Sequence, residues 1–264
     1  NVVLPPVALD GPTMTIRKFP KEKMTMERLI ELGALDEEAA GFLKLLVKAR
    51  YNIFVSGGTG AGKTTFLNAL SDYIPKTERI ITIEDSAELQ LRDVENLVRM
   101  ETRNSNVEGE NAITIRDLIK ASLRMRPDPV IVGEVRDSAA IDMLTAMNTG
   151  HDGSLSTGHA NSAYDMITRL ESMVLMGIEL PMEAVRRQIA SAVDIIIHLG
   201  RLRDGSRKVT EICEVTGIEN GQVQLMSLYE FEEQAEKGRK TVQGHLKKKA
   251  ALQNKEKLKR AGLE

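Results

Sequence analysis

The sequence predicts an α/β domain built on a mainly parallel sheet and preceded by the end of a small α+β domain. Three observations support this prediction. From Asn52 onward, short apolar runs alternate with amphipathic helical patterns. A glycine-rich turn joins the first of these runs to the first of these helices. The last two apolar runs are separated by Asn220-Gly221, a pair typical of a hairpin between antiparallel strands.

The segment before Asn52 predicts short strands and then two helices. Alternation in TMTIRKF, near the turn at Asp10-Gly11-Pro12, predicts strands in residues 1–19. Thr25 is placed to cap the helix MERLIELG, and Asp36 to cap EEAAGFLKLLVKAR. We assign residues 1–22 to the remnant of an N-terminal domain and its linker. Because the chain starts at Asn1 without an initiator methionine, we expect a piece of a longer protein.

The remaining elements are predicted from the same patterns. The strands are NIFVS, RIITIE, PVIVGEV, DIIIHL, KVTEICEVTGIE and QVQLMSLYEF. The helices are KTTFLNALSDY, TIRDLIKASLRM with Thr114 as its cap, SAAIDMLTAMN, SAYDMITRLESMVLM and PMEAVRRQIASA. We assign residues 23–231 to this domain and 232–264 to a basic C-terminal tail. The tail is predicted as a solvated helix or frayed end, with contact to lipid headgroups or a partner as the alternative.

Composition excludes several classes of protein. Lys and Arg number 36 against 38 Asp and Glu, so no overall positive charge attracts nucleic acid or an anionic membrane. The single Cys213 cannot form an intrachain disulfide, which fits a reducing cytoplasm. No apolar run approaches the roughly 18 residues of a transmembrane helix. We therefore expect a cytoplasmic protein without a nucleic-acid partner.

The sequence GGTGAGKT at residues 57–64 matches the phosphate-binding pattern G-x-x-x-x-G-K-[ST] between a predicted strand and helix. Glycines let backbone N–H groups point inward, and the start of the helix adds partial positive charge. We expect Lys63 to reach the β and γ phosphates of ATP and the Thr64 hydroxyl to coordinate Mg²⁺. The other predicted contacts with ATP are Gly58, Thr59, Gly60, Ala61, Gly62 and Thr65.

Acidic residues follow two of the predicted strands, and ligands of a parallel sheet bind where its strands end. Glu134 ends PVIVGE, the Walker B position, where a carboxylate meets Mg²⁺ directly or through water. In IITIEDSAEL, Glu84 and Asp85 end the strand and Glu88 lies one turn further on. We expect Glu134 to bind the metal and Glu88 to polarise the attacking water, with Glu84 as the rival for the second role.

Four motifs occur in order over residues 52–165: GGTGAGKTT, ITIEDSAEL, LRMRPDPVIVGEVRD and TGHDGSLSTGHANS. With them the chain resembles the secretion and pilus-assembly ATPases, whose Walker A, Asp box, Walker B and His box they match. The segments ALDGPTMTIRKF and METR resemble the tight-adherence (Flp) pilus branch most. The resemblance covers residues 1 to about 230, so it supports no role for the tail.

This resemblance implies a RecA-like P-loop NTPase domain that hydrolyses ATP with Mg²⁺. It implies a homo-hexameric ring with the nucleotide between the N-terminal and motor domains. The implied partner is an inner-membrane platform protein of a pilus or secretion machine, which would place the ring at the inner face of the cytoplasmic membrane.

Histidines and arginines are the remaining candidates. On a loop beside the nucleotide, His151 and His159 are expected to sense the γ-phosphate or to link the Asp box to a moving domain. Plain loop histidines are the alternative, and zinc is disfavoured because cysteine ligands are missing. A positive charge on the γ-phosphate is also expected, often from another subunit. Its candidates are Arg17, Arg92, Arg103, Arg124 and Arg126.

Two other functions stay open: an ATP-binding regulatory or scaffold module without turnover, and a DNA-translocating RecA-like motor. An ABC-type transporter ATPase is disfavoured because no LSGGQ-like signature separates the Walker motifs.

Overall fold

The computed structural model describes residues 1–16, 18, 24–105, 110–234 and 241–264. The strands are β1 (Val2–Val3), β2 (Thr13–Met14), β3 (Ile53–Gly57), β4 (Arg79–Glu84), β5 (Asn96–Glu101), β6 (Val130–Val132), β7 (Leu155–Gly158), β8 (Ile195–Arg201), β9 (Arg207–Glu219), β10 (Gln222–Glu233) and β11 (Gly244–Lys248). The helices are α1 (Met26–Glu31), α2 (Glu37–Lys48), α3 (Lys63–Ser71), α4 (Ile115–Ser122), α5 (Ala139–Asn148), α6 (Ala163–Leu175), α7 (Met182–Ala192) and α8 (Glu256–Ala261). None of these helices has the length and apolar character needed to cross a membrane.

Nine strands form one sheet in the order β11-β10-β9-β8-β3-β7-β6-β4-β5. The six strands from β8 to β5 are parallel, and the strands from β8 to β11 pair antiparallel. The predicted α/β fold with a mainly parallel sheet is therefore confirmed. Strand β3, which leads into the glycine loop, lies between β8 and β7 at the centre of the sheet. In a separate two-stranded sheet, β1 pairs with β2.

Helices cover both faces of the large sheet. Residues of α1, α2 and α3 pack on one face with Ile53 and Val55. Residues of α4 to α7 pack on the other face with Phe54. Side chains of a strand point alternately to its two faces, so the consecutive apolar residues Ile53, Phe54 and Val55 of β3 reflect burial of both faces.

The predicted caps and hairpin are confirmed. Thr25 accepts a hydrogen bond from the amide of Arg28, and Asp36 accepts one from Ala39. Thr114 forms a reciprocal capping box with Asp117. Between β9 and β10, Glu219 faces Gln222. The two residues between them, Asn220 and Gly221, have φ angles of 50° and 72°, as this tight turn requires.

One stretch predicted as a loop contains the central strand β7. Leu155 pairs with Ile53 of β3, and all four residues of β7 are buried. Ser156 donates to the carbonyl of Val132 at 3.1 Å, and Thr157 donates to that of Gly133 at 2.7 Å. Since these hydroxyls are satisfied by the backbone of β6, the strand is buried without an apolar pattern. The edge strand β5 was not predicted either.

The C-terminal tail was predicted as a solvated helix or frayed end, and the structure shows that part of it is instead a strand of the sheet. Strand β11 pairs with β10 from Tyr229 opposite Lys248 onward, so the predicted boundary at 231/232 falls within β10. Leu246 and Leu252 are buried against the core. Two of its lysines meet an acid of β10: Lys247 lies 3.1 Å and Lys249 lies 2.8 Å from Glu232. Over residues 241–264, the described part of the chain that follows β10, the tail therefore contains an edge strand of the large sheet and a short helix.

Candidate functional site

The glycine loop leaves the end of β3 and enters α3. A side chain at Gly57 would place its Cβ 2.6 Å from the carbonyl oxygen of Leu199, so only glycine fits there. Gly60 and Gly62 have φ angles of 73° and 95°, which glycine adopts readily. Helix α3 starts at Lys63 without a side-chain cap, so its first amides face the loop unpaired within the helix. This arrangement is suited to binding phosphate.

Lys63 folds back over the loop that carries it. Its Nζ donates to the carbonyls of Gly57 at 3.0 Å and Gly58 at 3.2 Å, and lies 3.2 Å from Nδ1 of His159. Lys63 is only 7% exposed. Burial lowers the pKa of Lys63, while the nearby charge of Glu134 opposes that shift. The ammonium is thus held where a phosphate on the loop would meet it.

His159 lies between Lys63 and Glu134. Since Lys63 donates to Nδ1, a neutral ring carries its proton on Nε2, which lies 2.8 Å from Oε1 of Glu134. Burial is the main cause that lowers the pKa of His159, so the neutral ring is favoured. On its other oxygen, Glu134 is held by Arg136 at 2.6 Å, and Arg136 reaches Asp85 at 3.5 Å. These contacts join the Walker A, His box, Walker B and Asp box motifs.

The residues at the predicted metal position fit a divalent cation. Oε1 of Glu134 is buried, and no described residue donates a hydrogen bond to it, although Nε2 of His159 lies 2.8 Å away. A buried carboxylate oxygen without a donor is costly unless a cation or water completes it. Thr64, in the first turn of α3, offers the hydroxyl that accompanies such a carboxylate in glycine loops of this type.

The chain matches a known protein family over nearly its whole length. Residues 2–261 match the family described as "Type II/IV secretion system protein". The chain belongs to that family. The predicted resemblance to secretion and pilus-assembly ATPases is confirmed, whereas the Flp branch stays a prediction.

Relatives of this type II/IV secretion family protein are named for conjugation and secretion. A Mycobacterium tuberculosis protein, provisionally named for conjugal transfer, is 40% identical over 229 residues, which are 87% of this chain and 64% of that protein. The conjugal transfer protein TrbB of Rhizobium radiobacter is 34% identical over 88% of this chain and 68% of its own length. The type IV secretion system protein PtlH of Bordetella pertussis is 39% identical over 70% and 55%. The chain thus spans between 55% and 68% of the length of these three relatives.

Solved structures show the same fold. The VirB11 ATPase of the Brucella suis type IV secretion system, solved with sulphate, has a TM-score of 0.60 and 32% identity, covering 76% of this chain and 60% of that one. The pilus retraction motor PilT with bound ADP has a TM-score of 0.53 and 26% identity, covering 80% and 54%. These likenesses confirm the predicted RecA-like fold for this family member.

Glu84 and Glu88, the two predicted candidates for the water-polarising role, lie in different surroundings. Glu84 is 4% exposed, and its Oε2 accepts hydrogen bonds from the amides of Glu88 and Leu89, both at 2.8 Å. Burial raises the pKa of Glu84, and these amides oppose the shift. Glu88 is half-buried and close enough to influence Arg136 by its charge. Glu84 therefore holds the turn that presents Glu88, and Glu88 is the better candidate.

The structure does not place His151 beside the glycine loop of its own chain, where it was expected. His151 precedes β7, whereas His159 follows it, and β7 runs parallel to β3. The two histidines therefore lie at opposite edges of the sheet, with only His159 at the loop edge. The His151 ring contacts the carbonyl of Ala146 at 3.3 Å. The strand between the two histidines was not predicted, which is why they were placed together.

The predicted arginines are not gathered at the loop. Arg124 and Arg126 are exposed and precede β6, beside Asp128, whose amide donates to Arg79 at the start of β4. They therefore lie at the sheet edge opposite to the glycine loop of the same chain. Arg103 donates to the carbonyl of Asn111, and Arg92 is exposed. Arg17 lies outside the described residues.

Two arginines that were not predicted do contact the site. Arg136 binds Glu134, as described above. Arg207, at the start of β9, donates to the carbonyl of Gly60 at 2.7 Å and braces the outside of the loop. Arg136 was within reach of sequence reasoning, because it lies two residues after the Walker B carboxylate. Nothing in the sequence signals Arg207, because its contact spans 147 residues.

Proposed function

We propose that the protein is an ATP-hydrolysing motor that works as a homo-hexamer in a secretion or pilus-assembly machine. The observation that carries this proposal is the run of contacts from Lys63 through His159 to Glu134 at the mouth of a glycine loop. A module that only binds ATP needs the loop and the lysine. The added carboxylates at neighbouring strand ends are what hydrolysis requires.

Each residue has a role in this proposal. The loop amides from Gly58 to Thr65 hold the phosphates, and Lys63 leaves its own loop carbonyls to meet the γ-phosphate. Thr64 and Glu134 would hold Mg²⁺, which would neutralise negative charge on the phosphates. Glu88 orients and polarises the attacking water.

His159 is the sensor in this scheme. Movement of Lys63 towards the γ-phosphate removes the donor to Nδ1 of His159, so the ring reports the nucleotide state to Glu134 and, through Arg136, to Asp85. Arg124 and Arg126 lie at the far edge, so they can act only on a nucleotide held by a neighbouring subunit. Their position supports a ring in which subunits complete each other's sites.

The names of the relatives support a secretion setting. We propose that the ring docks on an inner-membrane platform protein and is peripheral at the inner face of the cytoplasmic membrane. Conjugal transfer in two relatives' names keeps a DNA-translocating motor as the alternative, which salt-dependent DNA binding would reveal.

Phosphate release from purified protein with Mg·ATP tests the proposal. Lys63→Ala should reduce the rate at least about 100-fold, because it removes the charge that meets the γ-phosphate. Lys255→Ala, an exposed lysine before α8, is the matched control and should leave the rate unchanged. Equal rates for Lys63→Ala and the unmodified protein would contradict the proposal. Tight ATP binding without release would favour the scaffold. Light scattering with ATP tests the hexamer.

A further inference from the structure

The antiparallel pair β8 and β9 flanks the glycine loop at two points. At the start of the loop, a side chain added at Gly57 would meet the carbonyl oxygen of Leu199 in β8. At the tip of the loop, Nε of Arg207 in β9 donates to the carbonyl of Gly60 at 2.7 Å. These two strands therefore contact both the base and the tip of the loop.

Arg207 bonds the loop at a turn that glycine makes readily. The amide of Ala61 donates to the carbonyl of Gly58 at 3.2 Å, and Gly60 lies within this turn with a φ angle of 73°. The stem of Arg207 lies close to Gly62, because a Cβ added there would be 3.4 Å from its Cδ. Arg207 thus spans the curved part of the loop.

The backbone on both sides of Arg207 is held in place. The next residue, Lys208, is buried and donates from Nζ to the carbonyl of Gly33 at 2.7 Å. The preceding residue, Ser206, donates from its amide at 2.9 Å and from its hydroxyl at 2.6 Å to Asp204. Although the side chain of Arg207 is exposed, it therefore starts from a fixed point.

A bond of this kind matters because the loop is rich in glycine. Glycine loses more conformational freedom than other residues when it is ordered, so closing such a loop around a phosphate is costly. A contact that already holds the loop curved lowers this cost before nucleotide arrives. The guanidinium has donors and no acceptor, so it binds a loop carbonyl and leaves the loop amides free for phosphate.

We propose that Arg207 is a positioning residue that holds the glycine loop in its phosphate-binding curve before nucleotide binds, and so sets nucleotide affinity. The inference deepens the proposed function and rests on it for the identity of the ligand. A preformed loop serves bound nucleotide and transition state alike. Loss of the Arg207 bond should therefore change affinity more than kcat.

Amide hydrogen exchange of the nucleotide-free protein, followed by NMR, tests the preformed loop. Arg207→Met keeps an unbranched stem beside Gly62 and removes every donor, so the Ala61 amide should exchange at least about 5-fold faster. Arg201→Met is the matched control, because Arg201 is also exposed and faces Arg207 across the two strands. It should leave the exchange unchanged. Equal Ala61 exchange in Arg207→Met and the unmodified protein would overturn the proposal.

Titration calorimetry with Mg·ADP and steady-state phosphate release test the effect on affinity. Arg207→Met should weaken ADP binding about 10-fold and raise KM for ATP by a similar factor, while kcat falls less than about 3-fold. Arg207→Lys keeps a donor for the Gly60 carbonyl and should recover most of the lost affinity. A fall in kcat with unchanged KM would overturn the proposal.

Direct contact between Arg207 and a phosphate would give a different result. Arg207→Met would then weaken ADP binding and leave Ala61 exchange in the nucleotide-free protein unchanged. That outcome also overturns the proposal.

The role of Arg207 and the proposed function fail in different ways. Undiminished phosphate release in Lys63→Ala refutes the ATPase, whereas Ala61 exchange needs no nucleotide and still judges the role of Arg207. Loss of release in Lys63→Ala, together with unchanged Ala61 exchange in Arg207→Met, refutes only the role of Arg207.

Discussion

The positions of His151 and His159 before and after β7 decide which groups each ring can contact. His151 and His159 occupy similar sequence surroundings, yet four residues of β7 and their flanks separate them across the sheet. His159 bonds Lys63 at one edge, and His151 contacts a helix carbonyl at the other. Because parallel strands present their carboxyl ends to ligands, only the histidine after the strand lies where a phosphate on the glycine loop of the same chain would bind.

This pair gives a matched prediction. His159→Ala should lower phosphate release about 10- to 100-fold, because it removes the link between Lys63 and Glu134. His151→Ala should change the rate less than about 2-fold. Both variants should still bind ADP, measured by isothermal titration, since the loop amides are untouched. A large kinetic loss in His151→Ala would show that the far edge of the sheet takes part in catalysis and would contradict this placement.

Burial of His198 predicts how stability depends on pH. The folded state lowers the pKa of His198 below its ordinary value of 6.5, so folding disfavours protonation. A lowered pKa contributes stability that is present above about pH 6.5 and is lost as pH falls through the folded-state pKa. Urea unfolding at pH 7.5, 6.5 and 5.5 should show this loss, and His198→Gln should reduce it. An identical pH dependence in the variant would contradict the buried neutral ring.

At the scale of elements, sequence patterns identified the strands and helices that bury an apolar face. Strand β3 and helix α4 follow the expected periodicities, and their caps and turns use the expected residues. Strand β7 was not predicted because two of its buried residues, Ser156 and Thr157, are polar. Their hydroxyls donate to the carbonyls of Val132 and Gly133 at the end of β6, so they can be buried without an apolar pattern. Strand β11 was not predicted because its position depends on contacts distant in sequence, such as the pairing of Lys247 and the following Lys249 with Glu232 of β10.

For the candidate site, the sequence identified the groups but not all their neighbours. Lys63, Glu134 and Glu88 lie in ordered motifs, so strand and loop chemistry located them. Their meeting point depends on His159 being placed by an unpredicted strand. Arg207 reaches the loop from β9, and no local pattern encodes such a contact.

Helix α8 lies at the amino ends of the parallel strands, opposite to the glycine loop. Lys257 lies 2.7 Å from both Asp152 and Asp194, before β7 and β8 respectively. Asp194 also accepts a hydrogen bond from the amide of Asn52, just before β3. The helix therefore fastens the starts of three central strands, although it is only six residues long.

Lys257→Met should destabilise the protein by about 2–4 kcal/mol, because it leaves the buried carboxylate of Asp194 without its cation. Burial already raises the pKa of Asp194, and Lys257 opposes that shift. Adding Asp194→Asn should recover part of the loss, because the remaining group is neutral. Urea unfolding measures both, with the exposed Lys255→Met as control. A loss no larger than that of the control would mean that α8 does not brace the sheet.

Across the whole molecule, the two edges of the parallel sheet have different tasks. The carboxyl edge gathers the glycine loop, Glu134, His159 and Asp85, whereas the amino edge gathers Asn52, Asp194 and Lys257. Motion that follows the nucleotide can thus be confined to one edge while ion pairs hold the other. This division suits a motor, because a fixed edge is needed to transmit a displacement.

Binding of nucleotide at the carboxyl edge should therefore raise the free energy of unfolding of the whole fold, without any contribution from the amino edge. With Mg·ADP at 100 times its dissociation constant, linkage predicts about 2.7 kcal/mol of added stability. At about 2–4 °C per kcal/mol for a chain near this size, the unfolding midpoint should rise by about 5–10 °C. Lys63→Ala should abolish most of this rise, whereas Lys257→Met, though less stable at the start, should keep it in full. If Lys257→Met also lost the rise, the two edges would be coupled, and the picture of a fixed edge opposite a responsive one would be wrong.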